Sequence, residues 1–294
     1  MTATVARIRL SQVGSQGNDR VILGVNLEGR PLVIDRTWRP MALVSGEPGS
    51  GKGGAVRVMQ HHDFTVGNQV IILQPKPGEY GWTAGAASLV STGQGFTRAL
   101  RWIAKEMDRR QQVLATTPNP STGTLGVDKF DDLPNPWPRI VAYMDEFPAI
   151  AGTEALVEVE REEVLQRSSY IAAIVKRGRS AGVNAIIITQ RPTIAGTFGF
   201  NGEIGGGIFA STTQRLHFDR EGESLKAAFN HCGPGSPAVL RAITENLPGR
   251  VAYAYAEQAD GGKVMAGQVM WLTQQQARAA AENYSGPEPM EFDQ

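Results

Sequence analysis

The stretch Met41–Gly53, MALVSGEPGSGKG, carries the residues best suited to chemistry. An apolar run enters a glycine-rich turn that ends in lysine. A phosphate-binding loop of the pattern G-x-x-x-x-G-K-[ST] cradles phosphates with backbone N–H groups, its lysine reaches the β/γ oxygens, and its hydroxyl holds Mg²⁺. Gly46, Gly51 and Lys52 match that pattern, with Glu47, Pro48, Gly49 and Ser50 between them, while Gly53 stands where the hydroxyl belongs and Gly54 follows. A second group of candidates is Asp145-Glu146, two carboxylates after the apolar run Arg139–Met144. Placed at the C-terminal edge of a parallel sheet, Asp145 would hold Mg²⁺ through water and Glu146 would orient and deprotonate an attacking water. Gln190 ends a third apolar run, where its amide would sense a γ-phosphate or that water. Arg177 and Arg179 suit bidentate phosphate contact, as an arginine finger offered to a neighbouring subunit or as a DNA contact. Lys76 and Glu79 are further charges near the same edge, facing the nucleotide or a neighbour.

These groups need a scaffold that brings several strand ends together. Val21–Leu27, Glu28–Arg30 and Pro31–Asp35 read as a hairpin ahead of the loop. After the loop, Ala55–His61 reads as a crossover helix, and Gln69–Gln74, fully apolar in its middle and stopped by Pro75, as a buried parallel strand. Strand, loop, helix, strand is the βαβ setting the loop requires. Leu100, Ile103, Ala104 and Met107 lie at helical spacing with Arg98, Arg101, Lys105, Asp108, Arg109 and Arg110 on the wet face. Five prolines between Ala115 and Pro138 predict a long surface loop separating two halves of the sheet, and an acidic helical segment is expected from Glu154 to Arg167. A helix over Tyr170–Ala181 ends at Gly182, a strand runs Val183–Thr189, and a glycine-rich loop spans Gly196–Gly207. Arg215–Phe218 and Arg250–Tyr255 read as strands with a helix over Glu223–Asn230 between them. Thr273 with Gln276 forms a capping box for a last helix, after which a polar tail is expected to stay unfolded.

At 294 residues, with 41% hydrophobic and 20% charged side chains, the chain fits one large globular domain with extensions. The expected division is a strand and hairpin extension over 1–40, a core over 41–272, and a helix and tail over 273–294. Lys+Arg and Asp+Glu both total 29, so nucleic-acid contact must come from a local basic patch. The one cysteine, Cys232, excludes an internal disulfide framework and suits a reducing compartment. No run approaches the ~18 apolar residues of a membrane span, so a cytoplasmic protein without a membrane segment is expected.

The order of these motifs resembles the motor core of the FtsK/SpoIIIE/TraB family of hexameric double-stranded DNA translocases, over about Leu23–Tyr255. The resemblance is carried by Leu23–Gly29, the phosphate loop, Pro75–Glu79, Ala99–Arg110, Asp145–Phe147, and Arg177–Val183 running into Thr189–Pro192. It implies an α/β RecA-like P-loop NTPase fold, with a central mostly parallel sheet flanked by helices, ATP with Mg²⁺ as cofactor, a homo-oligomeric ring, and duplex DNA as partner. A phage, plasmid or other mobile element would suit a stand-alone motor of this kind. Three positions depart from the pattern. Gln74 replaces an acid before Pro75-Lys76, Phe200–Ile204 loses the motif that follows Pro192, and Gly53 lacks the hydroxyl, for which weaker metal binding or slower hydrolysis is expected. Two other readings share these residues: a nucleotide-gated DNA-binding or assembly protein with weak hydrolysis, and a viral genome-packaging ATPase of the HerA/FtsK type.

Overall fold

The computed structural model describes residues 19–26, 30–37, 40–76, 78–153, 160–192, 202–218, 252–256, 264–270 and 272–294. Expectations for Cys232 and for a helix over Glu223–Asn230 lie outside them. The strands are β1 (Arg20–Asn26), β2 (Pro31–Asp35), β3 (Met41–Ser45), β4 (Gln69–Leu73), β5 (Ala87–Val90), β6 (Ile140–Met144), β7 (Val183–Thr189), β8 (Gln214–His217), β9 (Ala252–Ala256) and β10 (Val264–Val269). They form one sheet in the order β2-β1-β10-β9-β8-β3-β7-β6-β4-β5. The six strands from β8 to β5 run parallel, and β9, β10, β1 and β2 continue the sheet antiparallel.

The apolar runs of the central strands follow from burial on both faces. Met41, Leu43, Ile140, Ala142, Met144, Val183, Ala185 and Ile187 pack on one face. Ala42, Val44, Val141, Tyr143, Ile186 and Ile188 pack on the other. Helices α2 (Gly93–Thr116), α3 (Phe147–Ala151), α4 (Arg161–Arg177) and α5 (Gly202–Ser211) contribute to the first layer, and α1 (Lys52–Thr65) and α6 (Gln274–Glu282) to the second.

Several expectations are corrected. Helix α1 starts at Lys52 rather than Ala55, directly from the left-handed Gly51. The acidic helical segment expected up to Arg167 and the helix expected over Tyr170–Ala181 are one helix, α4, which starts at Arg161 and ends at Arg177. Its end is set by Gly178, where a Cβ would lie 2.5 Å from the Val183 carbonyl oxygen and 2.6 Å from that of Ile174. The Gly196–Gly207 loop gives way from Gly202 to α5, whose Ile208 and Phe209 are buried in the core. The proline-rich segment does not simply lie on the surface. Phe130 is buried with Leu114 and Val127, and Arg139 stacks 4.4 Å from the Phe130 ring centroid. Nor does this segment split the sheet, because β6, which follows it, inserts between β7 and β4.

The capping box at Thr273 and Gln276 is present. The tail after it, expected to stay unfolded, instead packs along the open edge at β5. The Met290 N–H donates to Ser88 Oγ at 2.8 Å, and Arg98 Nε donates to the Phe292 carbonyl at 2.6 Å. Asp293 accepts hydrogen bonds from Ser91 N and Oγ, both at 2.9 Å, and from Thr92 N and Oγ at 3.2 and 2.7 Å, beside the start of α2. An unpaired strand edge gains cover, and a carboxylate meets the positive end of a helix. Replacing Asp293 with alanine is expected to lower the unfolding free energy by about 1 kcal/mol in urea titrations; an unchanged midpoint would show that the tail does not contribute.

Candidate functional site

The strand order brings the ends of β3, β7 and β6 side by side. Ser45 pairs with Thr189, and Met144 with both Ile187 and Leu73. The phosphate loop, Gln190, Asp145 and the segment after β4 therefore emerge at one edge, the C-terminal edge where open α/β sheets bind ligands. A cleft of about 440 Å³ lies there, lined in part by Pro48, Gly49, Gly51, Lys52, Gly53, Gly54, Asp145, Glu146 and Gln190. Lys76 and Glu79 join it from the β4 side.

The loop is shaped by three glycines with positive φ: Gly46 (142°), Gly49 (76°) and Gly51 (115°). Gly46 also lies too close to its surroundings for a side chain, since a Cβ there would be 2.9 Å from both Phe218 Cβ and Ser50 Oγ. Gly51 caps α1 without a side-chain hydrogen bond, so the first turn of the helix begins at the cleft as an anion-binding terminus. Lys52 Nζ donates to the Gly46 carbonyl and, at 2.9 Å, to that of Glu47. Burial holds the Lys52 ammonium below its ordinary pKa, against the nearby charges of Glu146 and Asp145. Gly46, Glu47 and Ser50 build the loop without lining the cleft, and Ser50 Oγ is buried without a hydrogen-bond partner.

The two carboxylates differ in environment. Asp145 Oδ2 accepts from Tyr80 Oη at 2.7 Å and Oδ1 from the Glu146 N–H at 3.0 Å. Burial raises the Asp145 carboxyl pKa, and the Tyr80 hydrogen bond offsets only part of that. Glu146 accepts from Lys76 Nζ at 2.6 Å and from Gln190 Nε2 at 3.0 Å. Burial alone would raise its pKa, but the hydrogen bonds from Lys76 and Gln190 and the charges of Lys76 and Lys52 hold it below the usual carboxylate value. Glu146 is also the one non-glycine residue with positive φ among the described residues, at 51°. Such a backbone persists only where its surroundings enforce it, and it occurs preferentially at functional sites.

Arg177 and Arg179 do not reach this cleft within the chain. They precede β7, whereas Gln190 follows it, and seven extended residues span roughly 20 Å. Arg177 Nη1 lies 3.0 Å from Asp108 Oδ1, and Arg179 Nε donates to the Thr37 carbonyl at 3.3 Å. Tyr80, Arg57 and Phe218 belong to the site or its walls but are not singled out by sequence reasoning. Arg57 alone has a signal, its position one helical turn after Gly53.

The arrangement fits a nucleotide phosphate: a glycine cradle, a helix N-terminus, a lysine, and an ionised carboxylate held by an amide and an ammonium. It fits Mg²⁺ poorly. Gly53 offers no side-chain oxygen where the loop pattern has a hydroxyl, and Asp145 Oδ2 already accepts from Tyr80.

No protein-family model matches the chain. DNA translocase SftA of Bacillus subtilis is 27% identical over 186 residues, 58% of this chain and 18% of that protein. DNA translocase FtsK of Haemophilus influenzae is 27% identical over 200 residues, 59% of this chain and 37% of that protein. The chain thus spans well under half the length of these relatives. Among solved structures, the monomer form of the pCW3 conjugation coupling protein TcpA with ATPγS superposes with a TM-score of 0.74 at 15% identity, covering 95% of this chain and 75% of that one. EssC (ATPases 2 and 3) of Geobacillus thermodenitrificans gives 0.67 at 12% identity, covering 99% and 54%. The resemblance to FtsK-type motor domains is borne out by these matches, and so is the RecA-like P-loop fold. Among the described residues no helix is long and apolar enough to cross a membrane.

Proposed function

We propose that this chain is an ATP-hydrolysing motor core of an FtsK-like double-stranded DNA translocase that acts as a ring, with six subunits as the family pattern implies. The observation that carries the reading is the meeting of Lys52, Glu146 and Gln190 in one cleft, in a chain similar to DNA translocases. In this reading the loop N–H groups and Lys52 hold the β- and γ-phosphates of ATP. Glu146 takes a proton from the attacking water as its oxygen bonds to the γ-phosphorus and the bond to ADP breaks. Gln190, tied to Glu146, reports whether the γ-phosphate is present.

Arg177 and Arg179 lie at the sheet edge away from their own cleft, and the Arg177 side chain is 49% exposed. A head-to-tail ring sets one surface of a subunit against a different surface of the next. That geometry supports a role for either arginine in completing a neighbour's site.

The test is multiple-turnover ATP hydrolysis with and without long duplex DNA. DNA is expected to raise the rate several-fold, and Lys52→Ala to abolish it in both conditions. A second reading, a nucleotide-gated DNA-binding or assembly protein, is favoured by the missing hydroxyl at Gly53. A rate near background that DNA does not change would select it.

A further inference from the structure

One charged side chain of the cleft has no part in the hydrolysis proposed for it. Arg57, half-buried on α1, lies four residues after Gly53 and lines the same cavity as Lys52 and Glu146. Long side chains on a helix lean toward its N-terminus, so residue i+4 covers the surface beside residue i. Arg57 follows that rule. A Cβ at Gly53 would find Arg57 Nη1 at 3.9 Å, with no other neighbour within 4 Å beyond the adjoining residues and helix backbone. The guanidinium is anchored from behind, because Nε donates to the Leu272 carbonyl at 2.9 Å. Its charge also acts within the cleft: burial raises the Glu79 carboxyl pKa, and Lys76 and, to a smaller extent, Arg57 offset part of that rise.

Where the loop pattern places a hydroxyl to hold a divalent cation, this chain therefore has an open glycine with a fixed positive charge beside it. A guanidinium is planar, permanently charged, and able to donate to two oxygens of one phosphate. We propose that Arg57 is a phosphate-binding residue of this site and supplies the positive charge that a hydroxyl-held Mg²⁺ would otherwise bring, so that nucleotide binding depends on Arg57 and only weakly on Mg²⁺. The inference rests on the reading of the cleft as a nucleotide site. A purely structural Arg57, tying α1 to residue 272, predicts lost stability with unchanged affinity.

Calorimetric titration with ATPγS, in Mg²⁺ and in EDTA, separates these cases. The wild-type protein is expected to bind in EDTA within about fivefold of its affinity in Mg²⁺. Arg57→Ala is expected to lose roughly tenfold or more in EDTA, the size of one charge-assisted phosphate contact. Arg57→Gln keeps a donor for the Leu272 carbonyl, so it should lose the same affinity while melting close to wild type. Gly53→Ser combined with Arg57→Ala is expected to recover binding in Mg²⁺ but not in EDTA. Wild-type binding that requires Mg²⁺ and is unmoved by either Arg57 substitution would overturn the proposal and leave the nucleotide site standing. Failure of the wild type to bind in either condition, or indifference to Lys52→Ala, would instead remove the nucleotide site itself.

Discussion

Glu146→Gln is expected to slow ATP hydrolysis by about 100-fold or more while leaving ATPγS binding near the wild-type level. The size is that of a lost general base. Glutamine keeps the volume of the side chain and an oxygen that can accept from Lys76, but it cannot take a proton. The surroundings of Glu146 are arranged for the ionised form: Lys76 Nζ at 2.6 Å, Gln190 Nε2 at 3.0 and 3.3 Å from its two oxygens, and a carboxyl held below its usual pKa despite burial. A left-handed backbone at a non-glycine residue costs on the order of 1–3 kcal/mol. Here it sets Glu146 between β6 and α3, within reach of both partners. The Lys76 side chain is 60% exposed, so its ion pair contributes little to stability. The variant should therefore melt with the wild type. Steady-state phosphate release measured beside ATPγS titration gives the answer, and a Glu146→Gln variant that hydrolyses at the wild-type rate would remove Glu146 from the chemistry.

The residues that can be found by reading the chain are those whose signal is local. The runs Gln69–Leu73, Ile140–Met144 and Val183–Thr189 are mostly apolar because helices cover both faces, and the polar residue after each run, Gln74, Asp145 or Gln190, marks the sheet edge. The glycines of the loop show where backbone must turn through positive φ. What escapes such a reading depends on distant partners. β5 has four residues, one of them Ser88, whose hydroxyl accepts from residue 290. The first half of α4 reads as an acidic helical segment, but nothing in it announces that Arg167 is buried, at 1% exposed. It donates to Thr97, to the carbonyls of Ile150 and Gly93, and to Glu163. A buried arginine interrupts the apolar stripe by which helices are recognised, and three separate segments are needed to satisfy it. Tyr80 is a similar case, since nothing near it in sequence announces a hydrogen bond to Asp145, 65 residues away.

The largest stability effect is expected at a second buried arginine. Arg36 follows β2 and pairs with Asp63 of α1 through its two terminal guanidinium nitrogens, Nη1 and, at 3.0 Å, Nη2, and both side chains are fully buried. Asp63 also accepts from Tyr143 Oη of β6 and from Asn68 Nδ2 at 2.8 Å. The network joins the hairpin, the helix that carries the phosphate loop, and the central sheet. Removing one partner of a buried pair leaves the other charge unpaired in the interior, at about 3–5 kcal/mol. Asp63→Ala is expected to cost that much, a large share of a stability of roughly 5–15 kcal/mol. Arg36→Met with Asp63→Leu, which removes both charges, should recover most of it. Burial pushes the Asp63 carboxyl up, but the Arg36 charge and hydrogen bond outweigh burial and hold its folded pKa below the ordinary value. Stability from a depressed carboxyl is complete above the unfolded pKa, about 3.9, and is lost as pH falls through the folded one. The gap between wild type and Asp63→Ala in urea titrations should therefore be full at pH 7 and shrink below about pH 4. A gap that is small at pH 7, or that persists unchanged into acid, would mean that the charge of Asp63 does not hold these three elements together.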